Sequence, residues 1–407
     1  MQSSQVRIAG RAHHWFALLP AWILCSCANL PERAPLPQEL AAVATVPGIE
    51  DARYYGDERP PFVDEWFALS ATEIEAQSPA MFGRHHEYLV ISGGSANGAF
   101  GAGLLNGWTT TGTRPEFEVV TGVSTGALIA PFAFLGSEYD SHLKQMYTQT
   151  ATADLVEQRG VVEIVTGDSL NGAETIRARL ERLIDADVIN AIAAEARKGR
   201  GLFVGTTNLD AGRPVIWNIG RIAASGAPNA LQLIHDVILA STAAPVAFPP
   251  VMIEVEAYGQ NYDEMHVDGG VNHQLFLYPM ALDWRQVTAK LEVDGNPDLY
   301  IIRNGFLERR WQTVDRNIVS IADQAIFTLL DSAVLGDIYR VYLAAIRDGI
   351  NFHLAFIPDS FDHPSTEAFD QDYMNALFVK GFDMAIDGFP WQTTPPDYAP
   401  VDPTAAP

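Results

Sequence analysis

Cysteine is nearly missing from this chain of 407 residues: Cys25 and Cys27 are its only two, and both lie in the first 27 positions. Whatever folds after them has no internal disulfide. Basic residues are scarce as well. The 26 Lys and Arg stand against 50 Asp and Glu, and the formal net charge of -24 argues against nucleic acid as a partner and against steering by anionic membrane surfaces. Membrane-spanning length is lacking in the N-terminal apolar stretch, Trp15 to Leu24, which is too short to cross a bilayer. Apolar residues are nevertheless plentiful, at 48% hydrophobic with 10% aromatic. A disordered or fibrous chain is therefore excluded, and one large α/β domain with appendages is expected.

Arg7 and Arg11 followed by that short apolar stretch have the make-up of an export signal over residues 1–27. The stretch closes on Leu24-Cys25-Ser26-Cys27, which resembles the lipobox of bacterial lipoproteins, although Cys25 is unusual two positions before the end. On that resemblance, cleavage leaves Cys27 as a lipidated N-terminus, and Ala28 after it points to the outer membrane, on the periplasmic side. An ordinary cleaved signal and an uncleaved anchor are the alternatives. From 28 to 61, prolines at 31, 35, 37, 47, 60 and 61 prevent a continuous helix, so a linker or tether is expected. Residues 62–82 mix aromatics with acids, as one amphipathic helix packed on the domain would. Residues 389–407 are rich in proline and read as a disordered tail. The folded domain is thus expected over 62–388.

That domain is organised around Val119-Val120-Thr121-Gly122-Val123-Ser124-Thr125-Gly126-Ala127-Leu128: an apolar, strand-like approach, a Gly-x-Ser-x-Gly turn, then helix formers. A serine on a sharp strand-to-helix turn is lifted out of the sheet, and its strained backbone needs small neighbours such as Gly122 and Gly126. The helix that follows turns its N-terminal dipole and free N–H groups toward a developing oxyanion. Alone, the pattern also fits a simple small-residue turn.

Upstream, the buried-strand run Tyr88-Leu89-Val90-Ile91-Ser92 leads into Gly93-Gly94-Ser95-Ala96-Asn97-Gly98 and a helix-like stretch from Ala99 to Trp108. Strand, glycine loop and helix make an anion-holding arrangement. A nucleotide P-loop is excluded, because Ala99-Phe100 stands where Lys and Ser or Thr belong. A dinucleotide fingerprint is poor, since the next strand ends in Gly122-Val123-Ser124 rather than an acid for the ribose. Gly94 and Ser124 are one βαβ unit apart, so a right-handed crossover brings both loops to the C-terminal edge of adjacent parallel strands.

Further on, 202–209 and 214–218 read as two strands joined by the turn 210–213, and Leu231 to Ala240 as a helix. His266-Val267-Asp268-Gly269-Gly270 then places a carboxylate at a strand end beside two glycines, a pattern that an ordinary Asp-Gly turn also produces. Beyond it, 298–304 and 352–357 read as strands, and 313–348 as one or two helices broken near Gly336. Ile318, Ile321, Ala325 and Leu329 recur at helical spacing, which core packing explains.

Taken together and in this order, the loop 92–98, the elbow 122–126 and Asp268-Gly269-Gly270 resemble the motifs of patatin-like phospholipases, over about Tyr88 to Pro358. The resemblance implies an α/β fold, with a mainly parallel sheet sandwiched between helices, and acyl transfer on lipid esters by a Ser-Asp dyad without histidine, cofactor or metal. Carried over, Ser124 is the nucleophile and Asp268 the base, while Gly93, Gly94 and Ser95 form the oxyanion hole. Gly98, Gly122, Gly126, Gly269 and Gly270 complete the motifs. Two positions depart from the family loop: Ser95 stands at its third glycine and Asn97 at its basic residue, which puts preference for a phosphate headgroup in doubt. An Asp that takes a serine proton directly must have its pKa raised by a closed apolar surrounding. A conventional triad would recruit a histidine instead. His266 and His273 flank the Asp, His235 lies in a helix, and His353 and His363 come late, as in an α/β-hydrolase. A lipid-binding envelope lipoprotein with a dead site is the rival outside enzymes.

Overall fold

The computed structural model describes residues 33–149, 157–158, 171–311 and 313–398. The export signal, Cys27 and the tail from 399 onward lie outside these. The main sheet has nine strands: β1 (Arg53–Tyr55), β2 (Glu87–Ile91), β3 (Val119–Val123), β4 (Gly201–Asn208), β5 (Arg213–Asn218), β6 (Val251–Ala257), β7 (Gln260–Asp268), β8 (Asp298–Arg303) and β9 (Asn351–Phe356). Among the described residues the α-helices are α1 (Val63–Ala68), α2 (Ala71–Gln77), α3 (Gly98–Thr110), α4 (Thr125–Leu135), α5 (Asp140–Thr148), α6 (Glu174–Leu183), α7 (Ala186–Ala196), α8 (Ile219–Ala224), α9 (Ala230–Thr242), α10 (Trp284–Lys290), α11 (Ile318–Asp348) and α12 (Gln371–Ile386).

Strands lie in the order β1-β5-β4-β3-β2-β8-β9, and the run from β4 to β9 is parallel throughout. This is the expected mainly parallel sheet, with β5 folding back antiparallel on β4 and β1 closing that edge. Alternate residues of one strand feed two cores, as the pleat requires. Leu89 and Ile91 of β2 pack with Phe100 of α3, Phe132 of α4 and Leu377 of α12, whereas Tyr88 and Val90 face Ile74 of α2, Val287 of α10 and Ile338 of α11. The chain is therefore an α/β sandwich of helices, sheet and helices.

Four local expectations change. Residues 33–61, read as a linker, are laid against the domain: Arg33 pairs with Asp210 and Asp263, Val46, Ile49 and Ala52 are buried, and β1 joins the sheet. Proline prevented a helix there, but an extended strap needs none. Residues 62–82 form two helices rather than one, because Ser70 starts α2 with a reciprocal capping box to Glu73. The tail is docked as far as 398, with Trp391 packed on Trp108 and Tyr398 on Tyr342. Finally, α11 runs unbroken through Gly336, and only its second half belongs to the core. Its first half leaves Ile318 84%, Ile321 52% and Leu329 70% exposed, so the apolar spacing there marks an uncovered stripe instead of a buried one. Periodicity shows that a face is apolar, and says nothing about whether another element covers it.

Candidate active site

β4 brings the elbow and the acid together by register. Along one edge it pairs first with β3, Gly205 opposite Val123, and then with β7, Thr206 opposite Asp268. The last residue of β3 and the last of β7 therefore meet at consecutive positions of one strand, and Ser124, next after Val123, abuts Asp268. Ser124 holds φ 54° and ψ -124° as the residue that starts α4, a strained backbone for a residue with a side chain. The small neighbours are obligatory: a Cβ on Gly122 would collide with the Gly126 backbone, and one on Gly126 with the carbonyl of Ile91. The turn is also clamped from outside. Ser124 N–H donates to Ser241 Oγ at 2.9 Å, and Ser241 in turn donates to the Gly205 carbonyl at 2.7 Å.

Asp268 is buried, and its Oδ1 accepts the Gly270 N–H at 2.7 Å. Burial pushes its carboxyl up to about 6, against the opposing pull of the Ser124 hydroxyl and the Gly270 N–H. Asp268 N–H is tied to the Ala243 carbonyl at 3.0 Å, so the end of β7 is fixed as well as the side chain. Gly269 leaves no room for a Cβ against Gly205, which keeps the turn tight on β4.

The glycine loop lies on the other side of the serine, at the end of the neighbouring parallel strand, as the crossover argument expects. A Cβ on Gly93 would stand 3.2 Å from Ser124 Cβ. One expected donor is not free: Gly93 N–H is bonded to the Gln274 carbonyl at 3.3 Å, and a bonded N–H has nothing left for an oxyanion. Among the described hydrogen bonds, the N–H groups of Gly94 and Ser95 are not engaged. Gly94 has φ 156° and touches the Asn304 carbonyl, so no side chain fits there. Ser95 takes φ 52°, the left-handed region that its motif neighbours visit as glycine, and so preserves the loop's shape at some strain. Gly98 packs against Thr125 and Tyr147. Asn97, at the position of the basic residue, has its Oδ1 held by the Tyr373 hydroxyl at 2.7 Å.

Several residues that build this site carried no sequence signal. Ser241 is one. Arg303 and Asn304, at the end of β8, brace the loop from behind: Arg303 donates to the Gly93 carbonyl at 3.3 Å, and Asn304 Nδ2 donates to the Ser92 carbonyl at 3.0 Å. The buried amide of Gln274 wedges between Gly93 and Gly270, and its Oε1 has no hydrogen-bond partner. Asp337 of α11 holds Gln274 in place through its N–H at 2.6 Å.

Among the described hydrogen bonds, none of the histidines singled out from the sequence reaches Ser124 or Asp268. His266 is wholly buried; Nδ1 faces the Thr206 hydroxyl at 2.9 Å and Nε2 faces Glu264 at 3.1 Å, and burial holds its pKa below the ordinary value. His235 bonds the Ile184 carbonyl, His353 bonds Asp298 at the far end of the sheet, and His363 is exposed beside the Pro364 carbonyl. His273 lies 3.6 Å from Asp337.

Residues 89–279 match the family model Patatin, described as patatin-like phospholipase. The crystal structure of VipD from Legionella pneumophila is similar at 14% identity and a TM-score of 0.39, over 74% of this chain and 67% of that one. No curated protein matches the chain. The matched segment contains the glycine loop, the serine elbow and the Asp268 turn, so over these residues the chain is similar to the patatin-like phospholipases.

Proposed function

We propose that this chain is a serine lipid acyl hydrolase in which Ser124 attacks the ester carbonyl and Asp268 takes its proton. The observation that carries this reading is the register of β4, which sets the strained serine against a buried carboxylate with no histidine between them. A carboxyl at about 6 is ionised at neutral pH yet basic enough to accept a proton as the Ser124 oxygen bonds to carbon. The tetrahedral oxyanion would receive the N–H groups of Gly94 and Ser95, with the N-terminus of α4 adding its dipole. Collapse expels the alcohol, which takes the proton from Asp268, and leaves an acyl ester on Ser124. Water, deprotonated by the same carboxylate, then releases the acid and restores the serine.

Exposed apolar residues support a lipid substrate. Leu209, Val246 and Val271 are exposed near the ends of β4, α9 and β7, and the stripe on α11 extends apolar surface further, with Trp311 96% exposed just before it. Such a surface favours long acyl chains or a lipid interface over small soluble esters. With Asn97 in place of a cation, the loop supplies no charge for a phosphate headgroup.

The same reading extends to membrane anchoring through a lipidated Cys27. Arg33 is fixed to Asp210, two residues beyond the end of β4, so only residues 28–32 separate the anchor from the docked strap. The six Cα–Cα steps from Cys27 to Arg33 reach at most about 22 Å, which would hold the Ser124 edge of the sheet close to the bilayer. Labelling with a fluorophosphonate probe, followed by a lipid panel, tests the catalytic reading: Ser124 is labelled and esters are cleaved. An unlabelled protein that still binds lipid would instead make the chain a non-catalytic lipoprotein. Incorporation of radioactive palmitate, abolished by Cys27→Ser, tests the anchor.

A further inference from the structure

We propose that His85, Glu87 and Asp298 form a zinc-type divalent cation site at the N-terminal edge of the parallel sheet, away from Ser124. Glu87 opens β2 and Asp298 opens β8, and the two are directly paired in register, so their side chains stand side by side. His85 reaches over both: its Nε2 lies 2.9 Å from Asp298 Oδ2 and 3.7 Å from Glu87 Oε1. One ligand atom from each residue lies within 4.8 Å of the other two. Zinc held at about 2.05 Å in a tetrahedron has ligand-to-ligand edges of about 3.3 Å, which the two measured separations bracket.

The surroundings orient each ligand. His85 Nδ1 lies 3.1 Å from the Asp294 carbonyl, an acceptor only, so Nδ1 carries the proton and Nε2 turns its lone pair toward two carboxylates. That arrangement is satisfied by a cation between them, either a proton or a metal ion, and an imidazole whose other nitrogen donates to a carbonyl is how metal-bound histidine is commonly held. Asp298 is prepared in the same way. His353 Nε2 at 2.7 Å and Asn351 Nδ2 at 3.1 Å both engage Oδ1, which leaves Oδ2 facing His85. Glu87 Oε2 is buried, with the Tyr300 hydroxyl as its nearby polar group, and among the described ion pairs neither carboxylate meets a Lys or Arg. Two carboxylates and one imidazole nitrogen suit zinc better than magnesium, which prefers oxygen and octahedral geometry. The site is open to solvent through the half-exposed His85. Bound there, the ion would tie the leading ends of β2 and β8, and of β9 through His353.

The site is independent of the hydrolase reading, because it lies at the opposite end of β2 from the glycine loop. The test uses the untagged full chain, stripped with a chelator, and titrates zinc chloride at pH 7.5 by calorimetry and by thermal melting. One zinc per chain is expected, with a melting rise of about 3 °C at a hundredfold excess over Kd. His85→Ala and Glu87→Gln should each weaken zinc binding at least tenfold, while both variants still melt cooperatively and keep wild-type ester turnover. Magnesium should produce no shift. Absence of zinc binding, binding unchanged in both variants, or an equal response to magnesium would overturn the assignment.

Discussion

Ser241 Oγ accepts the backbone N–H of Ser124 at 2.9 Å, so a side chain 117 residues away holds the elbow in its strained conformation. The hydroxyl also donates to Gly205, the β4 residue opposite Val123, and thereby joins the elbow to the strand that delivers Asp268. Ser241→Ala leaves the Ser124 N–H and the Gly205 carbonyl unpaired. The expected cost is about 1 to 3 kcal/mol of stability, with kcat reduced about tenfold and KM little changed. Urea titration and steady-state kinetics on one soluble ester check this, and wild-type kcat in the variant would remove Ser241 from the positioning of the nucleophile.

Ser124→Ala should abolish turnover and probe labelling while leaving the fold and its melting temperature in place. Ser124→Gly should be equally inactive but more stable by about 1 kcal/mol, since glycine adopts φ 54° without strain. Residual turnover near wild type in either variant would exclude Ser124 as the nucleophile.

Asp268 couples activity, stability and pH. Its carboxyl has the ordinary value of 3.8 when unfolded and about 6 when folded, so the folded state prefers the protonated form. The stability this lends is full below 3.8 and lost as pH rises through 6. At pH 7 the ionised carboxylate therefore destabilises the fold, on the order of 2 to 3 kcal/mol. Asp268→Asn should lower kcat by about 10² to 10⁴ and at the same time raise the melting temperature at pH 7. Assayed beside it, His266→Ala, His273→Ala, His353→Ala and His363→Ala should keep far more activity. A folded histidine variant as inactive as Asp268→Asn would mean a triad.

Turnover by the wild-type chain should rise with pH through a single ionisation near 6, because the base form is the active one. A profile that is flat or falling between pH 5 and 8 would contradict Asp268 as the base.

The uncovered half of α11 bears on the substrate. Ile321→Asp with Leu329→Asp replaces exposed apolar surface by charge and touches nothing in the core, so stability should change by less than about 1 kcal/mol. Hydrolysis of vesicle lipid should fall at least about fivefold while a short soluble ester is cleaved as before. Equal loss on both substrates would argue for a packing role instead.

What the sequence determined by itself is local. The glycine loop, the Gly-x-Ser-x-Gly elbow and Asp268-Gly269-Gly270 are each written within a few residues, because tight turns beside strands admit only small residues, and the spacing of loop and elbow already implied adjacent parallel strands. Tertiary structure decided whatever depends on partners far away in the chain. That Gly93 N–H is consumed by Gln274, that Ser241 clamps Ser124 and that His266 is locked between Thr206 and Glu264 are consequences of strand register, which no local pattern encodes. The same holds for the strap 33–61 and for α11: composition shows which residues are apolar or helix-breaking, but burial depends on whether another surface arrives to cover them.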